Sequence, residues 1–346
     1  MRQSLAILGA VGAVTLGVSL TPGAAMAQST LESVKERGHL NCQVGLPTPG
    51  FYALDADGTW SGLDVDVCRA VSAAIWGDPD KVEYQSVTSA VRFTSLANGE
   101  SDMLARTTTW TAVRDTQLGL DFTFVNFYDG QGFLVPVDSG ITSALELDGA
   151  TICVLTGTTT ELNLADYFRA NGMEMTPVTN ENVNVLVETY LGGGCDAYTN
   201  DKSGLAARRS AFPDPTAHVI LPQTVSKEPL GPVVRQGDDA WANIVRWVGY
   251  GMLEAEEFGV TQANVEEMAA NPPGPGVARL LGVEGNIGEG MGLPADFMVS
   301  VLKAVGNYGE AYERHVGENT PIGIPRAGTL NALWTQGGIM YPPPFR

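Results

Sequence analysis

Between residues 39 and 221 the chain passes twice through the same order of short apolar strands and amphipathic helices. Residues 39–45, 82–84 and 101–105 read as strands. Between them, a helix starts at Gly62 with Leu63, Val67, Ala70, Val71 and Ala74 on one face, and a second covers 89–98. The order then restarts. Strands are expected at 151–155, 175–178, 195–199 and 219–221, with helices after Gly157, over 182–191 and over 205–209. Strand–helix–strand repetition is the grammar of a parallel α/β sheet, so two such runs predict two α/β lobes. Asp129-Gly130-Gln131-Gly132 and Lys227-Glu228-Pro229-Leu230-Gly231 stand at the junctions, each followed by a short β-like run. Read as two hinge crossings, they assign 28–129 and 232–346 to the first lobe and 130–231 to the second. A body of this kind has a cleft that can close on a ligand.

Beyond the second crossing, helices are expected over 240–259, 262–270 and, as one continuous element, 295–315. Gly/Pro-rich loops separate them, and Tyr341-Pro342-Pro343-Pro344-Phe345 reads as an ordered strap. At the other end, Arg2 precedes an apolar run over 5–20, and Ala25-Met26-Ala27 offers a small-x-small cleavage site. This predicts a Sec-type signal peptide over 1–27, cleavage after Ala27 and export to the periplasm. No cysteine near the cleavage site suggests a lipid anchor, and no later run is apolar enough to span a bilayer.

The formal net charge of -19 and pI near 4.4 argue against a nucleic-acid partner, which requires a basic face. The four cysteines lack metal-ligand spacing, so neither a metal nor a cofactor is expected. Three disulfide pairings are possible. Their order along the chain favours Cys42–Cys68 and Cys153–Cys195, one staple per lobe. His39, His218 and His315 are the only histidines, and GxSxG, HExxH and Walker sequences are absent.

Thr107-Thr108-Thr109-Trp110-Thr111-Ala112-Val113-Arg114 carries the clearest binding chemistry. Arginine presents a rigid fork that fits a carboxylate, and threonine hydroxyls either donate or accept. The bland alternative is an exposed Arg114 on a helix capped by Thr111. Gly157-Thr158-Thr159-Thr160 sits between strand and helix, where free N–H groups meet anions, or where Thr158 simply caps with Glu161. Asp201 ends a strand, a ligand position in α/β folds, but also a place for a helix cap. Arg92 beside Phe93 reads unaided as a solvated or snorkelling side chain. Phe51, Tyr52 and Trp110 are candidates for an apolar pocket wall.

These stretches, with Gly62-Leu63-Asp64-Val65-Asp66, Arg92-Phe93-Thr94-Ser95-Leu96, Tyr128-Asp129-Gly130-Gln131-Gly132-Phe133 and Cys195-Asp196-Ala197-Tyr198-Thr199-Asn200-Asp201, resemble the solute-binding proteins of polar amino-acid ABC transporters (bacterial solute-binding protein family 3). Within that family the chain is similar to the general L-amino-acid-binding branch. The resemblance implies a type II periplasmic binding protein fold with two hinge-crossing strands and ligand in the interlobe cleft. It implies that Arg114 clamps the α-carboxylate with Thr109, and that the Thr107 backbone and Asp201 take the α-ammonium. Thr158 and Thr159 would close over the carboxylate, and Arg92 with Ser89 would reach the ligand side chain. Dicarboxylate binders of the family carry a further Arg in the loop that here reads Gly45-Leu46-Pro47-Thr48-Pro49-Gly50. Broad specificity for L-amino acids, polar and acidic ones included, is therefore expected, with delivery to inner-membrane permease subunits by a monomer. The alternatives are an exported enzyme on the same fold, similar to cyclohexadienyl or arogenate dehydratase, and a ligand-presenting sensor.

Overall fold

The computed structural model describes residues 29–346, so the expected signal peptide lies outside the described residues. Ser29 accepts the Glu32 N–H and the Glu32 carboxylate accepts the Ser29 N–H, a capping box that starts helix Thr30–Arg37. The chain then enters a five-stranded sheet in the order Val82–Ser86, Leu40–Val44, Met103–Leu104, Val233–Arg235, Leu120–Phe122. Its first three strands are parallel, and Val233–Arg235 runs antiparallel to both of its neighbours.

A second five-stranded sheet follows the same plan: Thr176–Asn180, Thr151–Leu155, Ala197–Asp201, Gln131–Pro136, His218–Ile220. Here the outgoing crossing, Gln131–Pro136, is the antiparallel strand. Between the sheets, Phe127–Asp129 pairs antiparallel with Glu228–Leu230. The two crossings thus form a two-stranded ribbon, and flexing it changes the distance between two otherwise self-contained sheets. The disulfide Cys42–Cys68 ties the first sheet to helix Leu63–Trp76, and Cys153–Cys195 lies within the second sheet's unit.

Helix Leu63–Trp76 is buried along nearly its whole length because Asp239–Glu257 and Phe297–Val305 cover the faces that the sheet leaves open. The expected helix over 295–315 is two helices, Phe297–Val305 and Tyr308–His315. Gly306 breaks them apart with φ 76°, and Asn307 with Glu310 then builds a fresh capping box. A short polar side chain that satisfies backbone N–H groups competes with helix continuation, and the apolar period on both sides hides the break. The segment expected as Gly/Pro loops also folds into the short helices Pro275–Leu280 and Ile287–Gly290.

The C-terminal strap is anchored. Phe345 is buried edge-on against Trp247, 5.2 Å between centroids, and its carbonyl accepts from Arg279 Nε at 3.0 Å. Arg326 grips Glu256 with two N–H groups, lies over the Tyr308 ring at 4.9 Å and donates to the Asn331 carbonyl at 2.7 Å. Asn331 in turn accepts the Tyr128 N–H at 2.7 Å and donates to the Tyr128 carbonyl at 2.9 Å. Its amide therefore adds a third member to the hinge ribbon. Asn331→Ala is expected to cost about 1 kcal/mol and to lower the melting temperature by roughly 2–4 °C. Calorimetry checks this, and an unchanged melting temperature would mean that water replaces the amide at no cost.

Candidate functional site

The parallel strands of both sheets point their C-terminal ends at the space between the lobes, where open α/β sheets place ligand groups. Thr107 turns the chain there with φ 43°, the one non-glycine residue with positive φ among the described residues. Asp64, in the first turn of Leu63–Trp76, holds that turn. One carboxylate oxygen accepts the Thr107 N–H at 2.7 Å and the other accepts Asn126 Nδ2 at 2.8 Å. Burial still pushes Asp64 up to about 6, against the pull of those bonds and of Arg106. The Thr107 hydroxyl meets Tyr52 Oη at 3.2 Å.

Three arginines converge on the cleft. Arg92, Arg106 and Arg114 expose only 4%, 8% and 8% of their surface. Thr111 accepts the Arg114 N–H and starts helix Ala112–Gln117, so Thr111 does cap, yet Arg114 itself turns inward. Its guanidinium donates to the Thr109 carbonyl at 2.9 Å and lies 5.1 Å from the Phe93 ring centroid. Desolvation lowers it to about 10, while Glu228 and Asp201 hold its charge. Arg92 stacks on Phe93 at 4.4 Å and donates to the Ser89 carbonyl at 2.9 Å. Burial, then repulsion from Arg106 and Arg114, push it well below the usual guanidinium range. It is buried where the unaided reading expected a solvated side chain. Arg106 donates to Ser89 Oγ at 3.1 Å. Ser89 is thus committed to both arginines.

From the second lobe, Thr158, Thr159 and Thr160 line the cleft. The Thr158 hydroxyl is taken: it accepts the Glu161 N–H at 3.2 Å and donates to the Leu155 carbonyl at 2.7 Å. What that turn offers a ligand is backbone N–H, since the Thr159 hydroxyl proton goes to Glu228. Thr109 and Thr159 face each other across the cleft at 3.3 Å, and both donate to Glu228 Oε2, at 2.6 and 3.0 Å. Asn163 Nδ2 and the Ser226 hydroxyl donate to Glu228 Oε1 at 2.7 and 2.5 Å. Arg208 adds a second bridge between the lobes, donating to Thr48 Oγ1 at 2.6 Å.

Asp201 stands at the N-cap of Lys202–Arg209, but its side chain makes no cap bond. It is buried, and Oδ1 has no partner among the described residues. Desolvation, Asp129 and Glu228 push it well above the carboxylate range, opposed by Arg114 and Arg92. Asp129 is itself pushed up to about 6 by burial while accepting the Gly130 and Ser203 N–H groups. An unpaired buried carboxylate beside an underused guanidinium is a receptor for a molecule carrying both charges.

Phe51 lines the cleft and packs edge-on against Phe127, 5.7 Å between centroids. Trp110 does not line it. It stacks on Phe122 at 5.5 Å, because Thr109 bridges to Leu230 and the next side chain alternates to the opposite face. Arg106, Arg208 and Glu228 are not assigned to the site by the sequence: Arg106 continues an apolar strand into the Thr-rich turn, Arg208 reads only as part of a helix, and the Glu228 stretch reads as a hinge crossing and as part of the family resemblance. A charge at the end of an apolar strand was the available signal for Arg106. Among the described residues no His, Cys, Asp and Glu side chains group to hold a metal ion.

Two α/β lobes on a two-strand hinge, with paired charges aimed into the space between them, define a hinged solute-binding protein. The chain belongs to the bacterial extracellular solute-binding proteins, family 3, and the match spans residues 41–259. It is 54% identical over 335 residues to the glutamate/glutamine/aspartate/asparagine-binding protein BztA of Rhodobacter capsulatus, covering 97% of this chain and 98% of that one. It is 51% identical over 339 residues to the general L-amino acid-binding periplasmic protein AapJ of Rhizobium johnstonii, covering 97% and 98%. A solved periplasmic binding protein from Brucella ovis with glutathione bound superposes with a TM-score of 0.90 at 51% identity, covering 92% of this chain and all of that one.

The raised Asp201 carboxyl has a consequence for ligand-free stability. A folded-state pKa above the unfolded value gives stability that is full below about pH 4 and is lost as pH rises through the folded value. Asp201→Asn is therefore expected to stabilise the ligand-free protein by about 1–3 kcal/mol near neutral pH. That gain should shrink toward about pH 5. Melting curves at both pH values check this, and a destabilised variant at neutral pH would contradict it.

Proposed function

We propose that this chain is the periplasmic substrate-binding component of an ABC importer, capturing L-amino acids of broad type, polar and acidic ones included, and delivering them to inner-membrane permease subunits. The observation that carries this reading is the pairing of a buried, unpartnered Asp201 oxygen with a buried Arg114 in one cleft. The names of the relatives in Rhodobacter and Rhizobium support it. In this reading the ligand α-carboxylate lies on Arg114, with the N–H groups at Thr159 and Thr160 around it and the Thr109 hydroxyl turning from Glu228 to donate to it. The α-ammonium lies on Asp201 and the Thr107 carbonyl. The side-chain end reaches Ser89, Arg92 and Phe51. The protein acts as a monomer after loss of residues 1–27, and the moving unit is 130–231 against 28–129 and 232–346.

Closure follows from differential affinity. Ligand touches groups of both lobes only when they are together, so it shifts the population toward the closed form. Glu228 belongs to the clasp, since it accepts from Thr109 on one side and Thr159 and Asn163 on the other. A binding role is favoured over a dehydratase because the histidines stand outside the cleft: His39 faces Glu83, His218 meets Tyr190, and His315 meets Asp66.

The test is a thermal-shift screen of refolded, ligand-free protein against the L-amino acids, their D-enantiomers and glutathione. Many L-amino acids should raise the melting temperature, D-forms should not, and Arg114→Ala should abolish every shift. Stabilisation by glutathione alone would overturn the ligand class. Affinity should also weaken as pH falls from about 8 to about 5, because the ammonium binds the ionised Asp201 and binding must expel a proton. Calorimetric titration across that range checks the sign.

A further inference from the structure

The cleft holds more positive charge than one ligand carboxylate can use. Arg114 accounts for that carboxylate in the reading above. Arg208 is occupied by Thr48, Asn184 and the Leu46 carbonyl. Arg92 and Arg106 remain. Both line the cleft, both are buried, and among the described residues both guanidinium groups donate only to Ser89. Arg92 Nε, Arg106 Nε and Arg106 Nη1 have no hydrogen-bond partner among the described residues. Asp64 lies near Arg106, but its oxygens are bound to Thr107 and Asn126. Asp201 and Asp64 offset part of this charge from a distance, but two like charges held together out of water with no anion hydrogen-bonded to them are costly, and a bound anion lowers that cost.

The space for this pair is built by the loop opposite. A Cβ on Gly45 would lie 2.9 Å from Arg106 Nε, 3.0 Å from Arg106 Nη2 and 2.6 Å from Tyr52 Cε2. Gly45 brings no cation itself and leaves open the volume that the Arg106 guanidinium fills. Ser89 then orients both arginines from the other side, through its hydroxyl for Arg106 and its carbonyl for Arg92.

We infer that Arg106 is a specificity-determining residue, which with Arg92 takes a second carboxylate at the side-chain end of the ligand, so that dicarboxylic L-amino acids are preferred. This rests on the amino-acid reading above. The amides glutamine and asparagine offer one neutral acceptor to the same N–H groups and rank below the acids. Aliphatic ligands leave the pair unanswered and rank last.

The test is isothermal titration of the ligand-free full mature chain, wild type and Arg106→Gln, with L-glutamate, L-glutamine and L-leucine. Arg106→Gln should weaken glutamate by about tenfold or more, as expected for a lost charge-assisted bond, and move leucine by no more than about threefold. Arg92→Gln, which removes the other guanidinium of the pair, should show the same selective loss, and it carries the test if Arg106→Gln does not fold. Equal losses for glutamate and leucine, unchanged glutamate binding, or a wild type that binds leucine as tightly as glutamate would overturn the inference while leaving amino-acid capture standing. A wild type that binds none of the three would overturn both.

Discussion

Glu228 is the group on which the closed geometry turns. It sits on the returning strand of the hinge ribbon, almost wholly buried, and accepts four hydrogen bonds. A buried carboxylate is tolerable only when its oxygens are satisfied, and here three donors come from the second lobe and the fourth, Thr109, from the first. Thr109 comes from one side of the cleft, Thr159 and Asn163 from the other, and Ser226 from the approach to the ribbon. The anion therefore couples the hinge to the cleft walls. It also helps to keep Arg114 charged in a desolvated place, while it opposes ionisation of Asp201. The same carboxylate thus sets one ligand-facing group in its charged form and pushes its partner toward the neutral form.

The cores are conventional beside this. Helix Leu63–Trp76, the helices that cover it and the two disulfides supply apolar burial and cross-links. The cleft breaks the rules that the cores obey. Thr107 holds a left-handed backbone, three arginines crowd one wall, and Asp201 keeps an oxygen without a partner. Departures of this kind gather where a ligand supplies the missing contacts.

Much of this order was legible in the chain, because strands and helices carry their own periods and the crossings carry Gly and Pro. The alternation of strands and helices and the paired crossings needed no tertiary information, whereas the edge strand Leu120–Phe122 went unread. What stayed hidden depended on partners remote in sequence. Asn307 ends a helical pattern through a capping bond that the apolar period does not register. Trp110 reads as a pocket wall until Thr109 is seen to bridge to Leu230, which turns the next side chain away. Arg92 reads as solvated until Phe93 and Ser89 enclose it. Arg106 and Glu228 are ordinary charged residues in sequence, and their meaning comes from what faces them: Gly45 and Ser89 in one case, four donor side chains in the other.

The first sheet has a strand order that reaches beyond packing. Val233–Arg235 lies between Met103–Leu104 and Leu120–Phe122, so the early part of the chain lacks an interior strand until everything through residue 235 exists. The hinge waits longer still, for Asn331 to reach Tyr128. A chain that leaves synthesis and export N-terminus first can complete its second sheet while its first is still open. Products truncated before residue 233 consequently retain a gap in the lobe that carries Arg92, Arg106 and Arg114. The lobe that carries the arginines is therefore closed last, by a strand that arrives only after the lobe facing it is complete.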